Sequence, residues 1–128
     1  MFGLPLHHIG IACKDIESTA AFVNRNYSVK SDTGTVFDEI QNAFVRLFDV
    51  GETCAIELIS GNAVAKVLDH RATYYHVCYV TDDITATLAE AKKGGAILVS
   101  GPNPAVLFGM RKIAFIYTLL GLVEFLEK

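Results

Sequence analysis

Along the chain, hydrophobic and polar positions follow first a period of two and then a helical period, and this switch occurs twice. From residue 6 to 12 the alternation puts His8, Gly10 and Ala12 on one face and His7, Ile9 and Ile11 on the other. Asp15 is an N-cap, and Ile16, Ala20, Val23 and Tyr27 form one apolar stripe of the helix it opens. The pattern is weak over residues 29–41, where Gly34 marks a turn and 35–40 reads as a strand. Residues 43–48 and 53–60 then predict a hairpin around Asp49-Val50-Gly51-Glu52.

After a connector over 61–73, with one helical turn at 63–68, the order begins again. Residues 74–80 predict a strand. Asp82 or Asp83 caps a helix with the stripe Ile84, Leu88 and Ala91, and Lys92, Lys93 and Gly94 or Gly95 suit its C-terminal end. A strand at 96–99 precedes 100–109, which Gly101, Pro102, Pro104 and Gly109 mark as a loop able to close over a ligand. Residues 111–118 and 122–127 predict a final hairpin around Leu119-Leu120-Gly121. Each half thus reads strand, helix, strand, strand, strand, an α+β pattern. The connector is neither long nor proline-rich, so one domain over 1–128 is expected, with halves at about 4–60 and 73–128.

The halves also repeat in chemistry. His8-Ile9-Gly10-Ile11-Ala12 precedes His76-Val77-Cys78-Tyr79-Val80 by 68 residues, and Asp15-Ile16 and Asp83-Ile84 repeat at the same offset. Glu57 within Ile56-Glu57-Leu58-Ile59 and Glu124 within Val123-Glu124-Phe125-Leu126 are 67 residues apart. A carboxylate in the middle of an apolar strand needs a cation, because an unpaired buried charge costs several kcal/mol or more. Two histidines and two glutamates at matching places form a nitrogen and oxygen shell for one divalent ion, Zn, Ni, Co, Mn or Fe(II), with positions left for water or substrate. Such an ion polarises a carbonyl, and a glutamate ligand that can leave it, Glu124 above all, can take the proton beside that carbonyl.

Singly, each of these four residues reads as structural or exposed; their conjunction carries the metal reading. His7, by parity on the opposite face, and His70, in the connector, read as structural. Cys78 shares the face of His76 and reads as a small buried thiol. Glu127 is expected to face solvent, and Arg46 to be an exposed strand charge or to meet a substrate anion.

Composition narrows the partners. The chain has 128 residues, 52% hydrophobic and 20% charged, with a net charge of −3, enough apolar sequence for a real core. Its cations are scattered, so no nucleic acid is expected, and a small molecule is the expected partner. Three cysteines without a C-x-x-C pair and the lack of a secretory signal fit a reduced cytoplasmic setting. The most apolar region, 113–126, falls short of the roughly 20 residues that cross a bilayer and is broken by Gly121 and Glu124, so no membrane partner is expected.

With these residues in place the chain resembles the vicinal oxygen chelate superfamily, which includes glyoxalase I, methylmalonyl-CoA epimerase, extradiol dioxygenases and the bleomycin and fosfomycin resistance proteins. The resemblance rests on the run from His8 to Ile16, on Tyr75-His76-Val77 with Asp82-Asp83-Ile84, and on the strands of Glu57 and Glu124. It implies two βαβββ modules whose mixed sheet curls around a central metal, with the helices outside, and His8, Glu57, His76 and Glu124 as ligands. It further implies a metal-dependent lyase or isomerase of the glyoxalase and methylmalonyl-CoA epimerase type, acting on a thioester or thiohemiacetal, in a homodimer. Bacterial glyoxalase I has an arginine four residues after the first ligand histidine, where this chain has Ala12. Epimerases carry a second acid on the third strand of the first module, where this chain has Val45 and Arg46. Lactoylglutathione lyase proper, an Fe(II) extradiol dioxygenase and a non-catalytic resistance protein are the alternative readings.

Overall fold

The computed structural model describes residues 3–52 and 54–128. The first module is β1 (Leu6–Ala12), α1 (Ile16–Asn26), β2 (Ser31–Asp32), β3 (Val36–Asp38), β4 (Ala43–Asp49) and β5 (Ala55–Ser60). A short helix, α2 (Ala65–Asp69), leads to the second: β6 (Tyr74–Thr81), α3 (Ile84–Lys93), β7 (Ile97–Ala105), β8 (Arg111–Thr118) and β9 (Gly121–Glu127). Thr53, the expected start of the strand before Ser60, lies outside the described residues.

Among the described residues the strands form one mixed sheet in the order β2-β4-β5-β1-β6-β9-β8-β7, with β3 on β4. The order is the same read outward from the centre in either direction. β1 pairs parallel with β5, β6 parallel with β9, and β1 meets β6 antiparallel. The two modules thus share a continuous sheet. Helix α1 packs Ile16, Ala20 and Val23 on Phe48 and Leu58, and α3 packs Ile84, Leu88 and Ala91 on Ile116, Val123 and Phe125. The opposite, concave face is left for His8, Glu57, His76 and Glu124. No described helix is long and apolar enough to cross a membrane.

The helix caps follow local chemistry. Asp15 accepts from the Glu17 N–H at 3.1 Å, and Asp83, rather than Asp82, accepts from Ala86 at 3.0 Å. Tyr27 departs from its expected place on the buried stripe. Helix α1 ends at Asn26, and Tyr27, extended at the C-cap, is exposed.

Two further expectations are corrected. Residues 100–105, expected as loop, continue β7, with Asn103, Pro104 and Ala105 opposite Ile113, Lys112 and Arg111. Proline is tolerated there because β7 lies at the end of the sheet, where one side of the strand needs no donors. The pairing is irregular at Gly101, which has φ +91° and lies so close to β8 that a Cβ would stand 2.5 Å from the Ile113 oxygen. Glu127, expected in solvent, is half-buried and accepts from the Ile84 N–H at 2.8 Å. An amide in the first turn of a helix has no intrahelical acceptor, and this carboxylate from β9 supplies one.

Candidate metal centre

The four side chains come from four adjacent strands, β5, β1, β6 and β9, in the middle of the sheet. Register brings them level: Gly10 pairs with both Glu57 and His76, His8 with Cys78, and Cys78 with Glu124. One donor atom from each lies within 4.8 Å of the others. The Nε2 atoms of His8 and His76 are 3.0 Å apart. Glu57 Oε1 lies 3.5 Å from His8 Nε2 and 3.4 Å from His76 Nε2, and Glu124 Oε2 lies 3.4 Å from His76 Nε2. None of the four residues is more than 2% exposed. All four donors come from one chain.

Small and aromatic neighbours fix this arrangement. A Cβ on Gly10 would overlap the His76 ring, 2.7 Å from Nε2, so the ring has room only because residue 10 is glycine. Phe108, in a 3-10 turn over residues 106–108, stacks on His8 at 5.5 Å, and Phe115 meets His76 edge-on at 5.3 Å.

Strand parity puts His7 away from this face, and the structure corrects that; Tyr75 departs from strict alternation in the same way. Leu6 pairs with Tyr79 and His8 with Cys78, so β1 holds one extra residue, His7; Gly10 pairs with His76 and Ile11 with Tyr74, so β6 holds an extra Tyr75. These are bulges, which re-aim side chains. Each bulged residue directly precedes a histidine of the cluster and meets its ring edge-on, at 5.0 Å for His7 and 4.9 Å for Tyr75. His7 Nδ1 is 2.8 Å from His8 Nδ1.

The remaining candidates sort by face. Cys78 is buried beside Glu124, and burial pushes its thiol far up, so it stays protonated. Arg46 points to the helix side and pairs with Asp32 at 2.6 Å and Glu17 at 3.0 Å, away from any anion at the cluster. His70 is exposed at the end of α2. Asp38, which the weak pattern of residues 29–41 concealed, is a buried acid on β3, opposite Ala43. Its oxygens already accept from the Ile40 and Gln41 N–H groups and from Gln41 Nε2 at 2.9–3.1 Å, so it closes a turn.

The family model described as the Glyoxalase/Bleomycin resistance protein/Dioxygenase superfamily matches residues 7–115. The chain belongs to this superfamily. Within it, the sequence is 26% identical over 118 residues to the ethylmalonyl-CoA/methylmalonyl-CoA epimerase of Cereibacter sphaeroides, covering 88% of this chain and 87% of that one. The fold is similar to that of methylmalonyl-CoA epimerase from Mycobacterium tuberculosis, with a TM-score of 0.82 at 21% identity over 96% of this chain and 87% of that one. It is also similar to the Streptomyces coelicolor methylmalonyl-CoA epimerase in complex with 2-nitronate-propionyl-CoA, with a TM-score of 0.83 at 19% identity over 98% and 96% of the two chains. The vicinal oxygen chelate fold expected from the resemblance is the fold observed.

In this superfamily member the donor set fits a divalent cation on its own chemistry. Two ionised carboxylates between two neutral imidazoles leave a double negative charge, and such a charge in a dry site needs a counter-cation. Without one, the groups compromise. Burial lowers His76 to about 4, with the neighbouring His8 adding to the effect. Burial and then Glu57 push Glu124 up to about 8. Burial alone would lower His8 and raise Glu57, but their attraction outweighs it, leaving His8 above and Glu57 below their ordinary values. Glu124 Oε1 and His76 Nδ1 are buried with no hydrogen-bond partner among the described residues.

This has a measurable consequence. A carboxyl at about 8 when folded and 4.5 when unfolded holds a proton that the unfolded chain has released, so stability falls as pH rises through that interval. His8, also raised, acts in the same sense. His7 and His76, lowered from 6.5 to about 4, act in the opposite sense but have no further effect once pH passes their unfolded value. The Tm of chelator-treated protein should therefore fall between pH 6.5 and 8, and added Zn(II) should reverse the fall; a metal-free Tm that rises across that window would contradict a protonated, buried Glu124.

Proposed function

We propose that this chain is a metal-dependent isomerase that moves a proton on the carbon beside the carbonyl of a small acyl thioester, with His8, Glu57, His76 and Glu124 holding one divalent ion. Support comes from the convergence of four buried donors whose joint charge matches such an ion. When bound, the ion supplies Lewis acidity at the carbonyl oxygen, which lowers the cost of negative charge there.

The chain's own residues do the rest. Glu124 Oε1, with no hydrogen-bond partner among the described residues, has a lone pair available for a substrate proton. Burial and the charge of Glu57 raise the basicity of this carboxylate, which suits proton abstraction near neutral pH. Phe108, Phe115 and Leu47 surround the site with apolar surface and exclude water. Tyr75, pushed up to about 12 by burial and then by Glu124 and Glu57, stays a neutral phenol beside His76.

Asp38 bears on the kind of isomerisation. Its carboxylate is engaged by three donors, so it does not act as a second base, and Glu124 removes the proton. A single base of this kind exchanges the substrate proton with solvent on the face it attacks, and inversion at that carbon requires a proton delivered to the opposite face of the enolate.

Incubation with methylmalonyl-CoA or ethylmalonyl-CoA in heavy water tests the reading. Deuterium should enter at the carbon beside the thioester carbonyl only when Zn(II), Ni(II), Co(II), Mn(II) or Fe(II) is supplied. Exchange with the hemithioacetal of glutathione and methylglyoxal, but with neither thioester, would transfer the assignment to lactoylglutathione lyase. No exchange with any of the three would overturn proton transfer as the reaction.

A further inference from the structure

We infer that His7 is a positioning residue: its Nδ1 lone pair accepts the Nδ1–H of His8 and so turns the lone pair of His8 Nε2 toward the ion site. The inference rests on the metal reading above and assigns a role to a side chain outside the donor set.

Three observations carry it. The two Nδ1 atoms are 2.8 Å apart, a hydrogen-bond distance that requires one ring to donate and the other to accept. His8 Nε2 is the nitrogen that faces His76, Glu57 and Glu124, at 3.0, 3.5 and 3.8 Å. A neutral imidazole carries one proton, so if Nε2 is to present a lone pair the proton must be on Nδ1, and His7 must be the acceptor. Finally, the bulge in β1 supplies the geometry: without the extra residue opposite β6, His7 would project to the helix side and could not reach His8.

The second module provides an internal comparison. Tyr75 occupies the place equivalent to His7, one residue before the ligand histidine and at a bulge, but His76 Nδ1 has no hydrogen-bond partner among the described residues. Only one of the two imidazoles therefore has its tautomer fixed by a neighbour. An outer partner that fixes a ligand's tautomer typically contributes 10- to 100-fold in metal affinity.

The test uses two replacements of His7 in the full chain. His7→Phe keeps a ring against Phe108, which His7 now meets edge-on at 5.3 Å, but removes the acceptor. His7→Asn keeps an acceptor, its Oδ1, close to where Nδ1 stands. Competition titration should give a Zn(II) affinity roughly 10- to 100-fold weaker for the Phe variant and within about 3-fold of wild type for the Asn variant. The metal-free proteins should have Tm values close to wild type. NMR of the zinc-loaded wild type and Asn variant should show a hydrogen-bonded proton on Nδ1 of His8. Equal affinity in the Phe variant and wild type, or equal loss in both variants, would overturn the positioning role while leaving the four-donor site intact. A wild type that binds no Zn(II) or Co(II) would overturn both.

Discussion

Replacing Glu124 with glutamine should reduce metal-dependent proton exchange by about 10²- to 10⁴-fold, the range associated with loss of a general base. The amide has nearly the same shape as the carboxyl, so the packing of β9 between β6 and β8 is preserved. It lacks the negative charge and the basic oxygen, so the site loses half of the charge that holds the cation as well as the group that takes the proton. The metal-free variant should be no less stable than wild type, and more stable at pH 8. The reason is the sign of the Glu124 shift: a buried carboxyl pushed up to about 8 disfavours the folded state as it ionises, and glutamine removes that penalty. Its Tm should therefore lose most of the decline between pH 6.5 and 8. Exchange assays and pH-dependent melting together distinguish this outcome from simple misfolding, which would lower Tm at every pH.

Replacing Gly10 with alanine should be the most damaging change that adds a single methyl group. The added Cβ would stand 2.5 Å from His76 Nδ1 and 2.7 Å from Nε2, closer than side-chain contacts allow. Gly10 also lies at the join between the modules, paired with Glu57 on one side and His76 on the other, so the backbone there has little room to give way. Overpacking of this kind typically costs 1–3 kcal/mol. The larger effect should be on the ion site, because a displaced His76 ring takes its Nε2 out of the cluster. Gly51→Ala is the control. Apart from its chain neighbours, no atom of the described residues lies within 4 Å of its new Cβ, and neither Tm nor metal affinity should change. Equal metal binding by the Gly10 variant and wild type would mean that His76 does not contribute to the site.

Much of this architecture can be read from the chain because duplication writes the same message twice. The offset of 68 residues between His8 and His76, and of 67 between Glu57 and Glu124, corresponds to real equivalence across the β1 and β6 join. The stripes Ile16, Ala20, Val23 and Ile84, Leu88, Ala91 pack as their spacing predicts. The failures share a physical origin: each depends on a partner strand or helix that local pattern cannot see. His7 changes face because of a bulge, and a bulge is a property of register between two strands. Residues 100–105 contain the glycine and prolines of a loop, yet an edge position lets them pair with β8. Glu127 is drawn in by the free amide of Ile84. Asp38 lies in a stretch with no clear period, and only the fold reveals it as a buried acid holding a turn.

On the four-donor proposal, the duplicated sheet also explains why the site would need both modules. Each contributes one histidine and one glutamate, and neither pair alone would neutralise or enclose a divalent ion. The pairing of β1 with β6 is therefore the structural join that brings the histidine and glutamate of each module together.

Anomalous diffraction from crystals of the protein loaded with Co(II) is the most direct test. One cobalt peak should lie among His8 Nε2, His76 Nε2 and the carboxylates of Glu57 and Glu124, and it should be absent from crystals of a His8→Ala variant prepared in the same way. A cobalt bound elsewhere on the chain, or a peak unchanged in the variant, would contradict the four-donor site.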